Sequence, residues 1–72
     1  MIYRLTSRRR GKTFVIYFEA DDLPDAKDAA LELIRGKIAQ DPTGEWFDGK
    51  IRVFNTAGEP VFSVRNLEVV DA

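Results

Sequence analysis

No disulfide can form in this chain, and zinc would find neither imidazole nor thiolate ligands, because it contains neither cysteine nor histidine. A domain of 72 residues buries only about 60 % of the surface its unfolded form exposes. With no cross-link to supplement that, the fold must rest on well-fitted packing, on self-association, or on both. The same absence restricts chemistry. The usual proton shuttle near neutral pH and the thiolate nucleophile are both missing, leaving carboxylates, lysines, tyrosines and hydroxyls.

Hydrophobic periodicity divides the chain into a hairpin, a helix and a second hairpin. Met1, Tyr3 and Leu5 alternate with Ile2, Arg4 and Thr6, and Phe14, Ile16 and Phe18 alternate with Val15 and Tyr17, the period of two that marks strands. Between them Ser7-Arg8-Arg9-Arg10-Gly11-Lys12 reads as the connecting loop, with Gly11 free to take a positive φ. The period then lengthens. Ala26, Ala30, Leu33, Ile34 and Ile38 fall on one side of a helix with Leu31 at the border, opposite Asp28, Glu32 and Arg35. Pro24 suits the first turn, Asp25 and Asp28 are candidate caps, and Gly36 weakens or ends the helix.

Asp41-Pro42-Thr43-Gly44 breaks the helix, Asp48-Gly49 signals a tight turn, and Trp46 is expected to anchor that connection in the core. Residues 51–55 and 61–65 read as strands joined by Ala57-Gly58-Glu59-Pro60. Residues 66–72 fit either a further short strand or a loose end. The expected fold is α+β: one domain over residues 1–72, with a four-stranded antiparallel sheet in β-β-α-β-β order and one helix packed on one face.

Leu23-Pro24-Asp25 entering an alanine-rich helix, Trp46-Phe47-Asp48-Gly49-Lys50, the run from Val53 to Glu59, and Val61-Phe62-Ser63-Val64 together resemble a family of very short uncharacterised proteins common in rhizobia and related alphaproteobacteria. The resemblance covers residues 14–65 and consists of turn and strand signals. Arg8-Arg9-Arg10 departs from the family's pattern. It implies a small bacterial domain of unknown function and supports the fold, without implying an activity.

A net charge of −1 hides a strong polarity. Residues 1–18 carry five basic side chains and no acid, whereas residues 19–48 carry nine acids against three bases. Such polarity can steer a partner, or one copy toward another. The longest apolar run, Phe14 to Phe18, is far below the roughly 20 residues a bilayer requires. No membrane partner is therefore expected, and the setting is read as cytoplasmic.

The motifs that carry chemistry fit poorly. Gly11-Lys12-Thr13 resembles the end of a phosphate-binding loop, but the first glycine is missing and a strand follows where a helix is needed. Arg10 to Tyr17 matches five of seven specified positions of the RNA-recognition signature (Arg10, Gly11, Phe14, Val15, Tyr17). Lys12 stands where a stacking aromatic is required and Thr13 where a small residue is. Asp21, Asp22, Asp25 and Asp28 lack calcium-loop spacing. Glu45 and Asp48 show no pattern that would set two carboxylates across a cleft. No catalytic, cofactor or metal residues are assigned, and no cofactor is expected.

One helix covers one face of a sheet, yet apolar residues occupy both alternation sets. Ile2, Val15 and Tyr17 are thus expected to form an apolar self-association surface, making the protein a non-enzymatic interaction module, a homodimer open to protein partners. The alternative is binding of nucleic acid or another polyanion through the basic loop, with Arg8, Arg9, Arg10 and Lys12 on phosphates. Against that alternative stands a pI near 5.3. An antitoxin-like regulatory role is a third reading, by analogy of fold alone.

Overall fold

The structure is a computed structural model, and it describes residues 1–9, 11–40, 51–65 and 67–71, without the side chains of Arg9, Lys12 and Asp71. The helix-breaking segment, Trp46 and the Asp48-Gly49 turn lie outside the described residues. The described residues form five strands and one helix: β1 (Ile2–Arg9), β2 (Lys12–Glu19), α1 (Leu23–Gln40), β3 (Ile51–Phe54), β4 (Pro60–Arg65) and β5 (Glu68–Asp71). They form one sheet in the order β2-β1-β3-β4-β5, antiparallel at every step.

The α+β expectation holds, with one strand more than expected. After Arg65 the chain reverses through Leu67 at φ 62° and returns as β5, pairing Arg65 with Glu68 and Val64 with Val69. Opposite charges meet across the first pair, and Val69 packs against the core. The strand was ambiguous in sequence because this reversal uses a leucine in the left-handed region, where glycine or asparagine would have signalled a turn.

The first loop is also shorter than the six residues expected. Arg9 pairs with Lys12, with Gly11 in the turn at φ 78°. Both strands therefore run on through residues read as loop. Between β3 and β4 the Asn55 amide donates to the Glu59 carbonyl at 2.9 Å. The Gly58 amide donates to the Asn55 carbonyl at 3.0 Å, and the Glu59 amide to Asn55 Oδ1 at 3.0 Å. Gly58, at φ 82°, supplies the left-handed step that closes this turn.

The helix begins at Leu23, with Pro24 in its first turn as expected. Asp22 is the cap: its Oδ1 accepts the Asp25 amide at 2.9 Å and its carbonyl accepts the Ala26 amide at 2.9 Å. Asp25 stands in the first turn, where its charge favours the helix dipole. The helix continues through Gly36 to Gln40. Its buried stripe is Ala26, Ala30 and Ile34, with Leu31 and Ile38 packed beside it, while Leu33 is half-buried outside that cluster.

Small alanines let the helix lie close on the sheet, where it touches β2 and β4. Beneath it lie Tyr3 and Leu5 of β1, Ile51 and Val53 of β3, and Phe62 and Val64 of β4, all buried, with Tyr3 stacked on Phe18 of β2 at 5.7 Å. Gly36 is exposed and a Cβ there would meet nothing within 4 Å. Gly36→Ala is expected to stabilise the fold by about 1 kcal/mol, read as a higher midpoint in urea unfolding with an unchanged slope.

Candidate functional site: the open sheet face and the β2 edge

Alternation sends the second set of each strand to the face that α1 does not cover. There β1 presents Ile2, Arg4, Thr6 and Arg8, opposite Glu19, Tyr17, Val15 and Thr13 of β2. On the other side of β1, Phe54 of β3 pairs with Arg4 and Arg52 pairs with Thr6. Ser63 and Arg65 of β4, and Val70 and Glu68 of β5, extend the same face.

Ile2, Val15 and Tyr17 are exposed as expected, at 50 %, 47 % and 67 %. Val15 and Tyr17 are neighbours on one face of β2, and Tyr17 shares a groove with Ile2, while across the β1–β2 pair each faces a polar partner: Glu19 opposite Ile2, Arg4 opposite Tyr17 and Thr6 opposite Val15. Arg8 of the basic loop stands on this face at the end of β1. Of its companions, the Arg9 and Lys12 side chains and all of Arg10 fall outside the described residues.

The centre of the face is a shallow open groove of about 490 Å³ lined by Arg4, Thr6, Arg8, Thr13, Arg52 and Phe54. Arg4 lays its guanidinium over the Phe54 ring at 4.7 Å, a cation–π contact. Its Nε is buried without a hydrogen-bond partner among the described residues. A second, smaller groove runs from Ile2 and Tyr17 to the β3–β4 turn. There Thr56 Oγ1 donates to the Ile2 carbonyl at 3.2 Å and ties the turn to β1.

The free edge of β2 is the other unpartnered element. Met1 and Ala20 exchange both hydrogen bonds at 3.0 Å, which makes them a hydrogen-bonded pair of the ladder. Antiparallel alternation then assigns Phe18, Ile16, Phe14 and Lys12 to the bonded pairs with β1. Thr13, Val15, Tyr17 and Glu19 turn their amide and carbonyl groups outward. From Phe14 to Phe18 this edge carries no proline, no charge and no bulge, and Phe14, Val15 and Tyr17 are exposed on it. At the opposite edge β5 has only four residues, with an acid at each end, a shielded design for a strand rim.

Arg4 and Arg8 belong to the basic cluster already visible in the first hairpin's sequence, whereas nothing in the sequence joins Arg52 and Phe54 to it. Their outward alternation was visible. What brought them together is the β1–β3 pairing, across more than forty positions of chain.

No family model, curated protein or solved structure matches this chain. Function is therefore argued from its own geometry. No helix among the described residues is long and apolar enough to cross a membrane.

Proposed function

We propose that this protein is a small non-enzymatic interaction module that self-associates through its sheet, and that the contact is the free edge of β2. The observation that carries the reading is the self-complementarity of that edge. A second copy related by a two-fold axis normal to the sheet can pair antiparallel so that Ile16 meets Ile16, Val15 meets Tyr17 and Thr13 meets Glu19. In that register all four outward residues exchange both backbone bonds, and one-pair shifts to either side leave an outward residue without a partner. Val15 would pack on Tyr17 across the open face and Phe14 on Phe18 across the other, pairs that stabilise neighbouring strands.

Face-to-face association is disfavoured by the same geometry. Arg4, Arg8, Arg52 and Arg65 on each open face would oppose their counterparts, whereas edge pairing sets the two faces side by side. Pairing along one strand buries less area than a permanent dimer needs, which favours a concentration-dependent equilibrium. Light scattering over a dilution series is expected to show the mass rising from 8.2 kDa toward twice that value. A mass fixed at the single-chain value up to the highest soluble concentration would reject the proposal.

A further inference from the structure

We infer that the open face binds single-stranded nucleic acid without sequence preference, in the groove between β1, β2 and β3. The inference moves polyanion recognition from the hairpin tip to the sheet surface. It concerns a site contained within one copy, and because Tyr17 also belongs to the β2 edge, binding is measured at protein concentrations where light scattering gives the single-chain mass.

The first argument is charge. Arg4, Arg8 and Arg52 line one groove with Thr6, Thr13 and Phe54, and no carboxylate lines it among the described residues. The acids of the face, Glu19 and Glu68, stand at its margins, on the two outermost strands. Three guanidinium groups held together repel one another, and a phosphate chain removes that repulsion while releasing its own counterions. The acids of the helix, Asp25, Asp28 and Glu32, stand on the element that covers the opposite face of the sheet, away from the groove.

The second argument is the placing of Arg4. Its Nε is buried with no hydrogen-bond partner among the described residues, its guanidinium carbon lies over the Phe54 ring at 4.7 Å, and the side chain lines the groove. A fixed guanidinium of this kind accepts a stacked base on its plane and a phosphate oxygen at its edge.

Aromatic groups decide between nucleic acid and other polyanions. Tyr17, 67 % exposed, is the direct cross-strand partner of Arg4. Phe54 is Arg4's partner on the other side. The row Tyr17–Arg4–Phe54 therefore offers planar surfaces on adjacent strands about 5 Å apart, flanked one step along by Thr6 and Arg52 and two steps along by Arg8. Planar groups alternating with cations on a sheet face are the means by which single-stranded bases and their phosphates are held together. Polyphosphate or an acidic peptide would make no use of the exposed ring.

The test is fluorescence anisotropy with a labelled oligothymidylate about 10 nucleotides long, titrated with the intact protein at several salt concentrations. Three phosphate contacts predict a slope of log affinity against log salt near −2, from about −0.7 per contact on a single strand. Arg8→Gln with Arg52→Gln should weaken binding at least about tenfold at low salt and bring the slope to about −0.7. Tyr17→Ala should cost about tenfold with the slope unchanged, as loss of stacking does. Circular dichroism establishes that each variant is folded, and light scattering that each titration is run on the single-chain form. Absence of binding at low salt, or binding indifferent to the double arginine variant, would overturn the site. Equal binding by polyphosphate together with indifference to Tyr17→Ala would overturn the nucleic-acid assignment.

Discussion

Replacing Phe62 with alanine is expected to remove a large share of the protein's folding stability. Phe62 is 1 % exposed and sits on β4 with Val53 as its cross-strand partner, beneath a helix whose contact stripe is mostly alanine. The surrounding small side chains cannot move in to fill the space a phenyl ring leaves, so the loss is expected to be about 3–5 kcal/mol. A chain of 72 residues has a total stability of roughly 4–11 kcal/mol, which makes this one side chain a large share of the whole. Urea unfolding followed by circular dichroism gives the comparison. Val70→Ala, at a position 48 % exposed on the edge strand β5, should shift stability by no more than about 0.5 kcal/mol. Equal effects of the two substitutions would mean that the helix and sheet do not enclose the core described above.

The second large effect separates backbone from side chain at the β2 edge. The Val15 amide points away from β1, so Val15→Pro removes no bond within the chain, while a ring at that position blocks the approach of another strand. The variant should remain folded and lose self-association. Two amide bonds disappear per dimer at about 0.5–1.5 kcal/mol each, so the dissociation constant should rise at least about tenfold. Ile16→Pro is the informative contrast, because the Ile16 amide belongs to a bonded pair with Leu5. That variant should be strongly destabilised as a single chain. Similar behaviour of the two variants would show that the assignment of inward and outward residues on β2 is wrong.

Much of this fold was legible because local pattern and final structure agree. The alternation of Tyr3 and Leu5 with Ile2 and Arg4, and of Ile16 and Phe18 with Val15 and Tyr17, gave the first hairpin. The spacing of Ala26, Ala30 and Ile34 gave the helix face. The parts that escaped depend on information that local pattern does not hold. Four aspartates stand within eight positions around the helix start, and only the backbone path singles out Asp22 as the one whose carboxylate reaches the Asp25 amide. The fifth strand follows a reversal at Leu67 that carries no glycine signal.

The candidate site was read less completely than the fold, for a related reason. Arg4 and Arg8 share a strand face by simple alternation, but Arg52 and Phe54 join them only through the pairing of β1 with β3. A one-residue change in that register would send both to the covered face. The expectation of an apolar surface at Ile2, Val15 and Tyr17 rested on counting hydrophobic residues in each alternation set. It did not weigh the arginines and threonines that share the set, and these turn the face from a second hydrophobic layer into a cationic one with aromatic members.

Backbone hydrogen exchange at several protein concentrations tests edge pairing most directly. In the single chain the amides of Phe14 and Ile16 are held by β1, whereas those of Val15 and Tyr17 face solvent and should exchange freely. As concentration rises and copies pair, protection should appear at Val15 and Tyr17 while Phe14 and Ile16 change little. If Val15 and Tyr17 still exchange freely where light scattering reports a dimer, the copies meet elsewhere and β2 is not the joining edge.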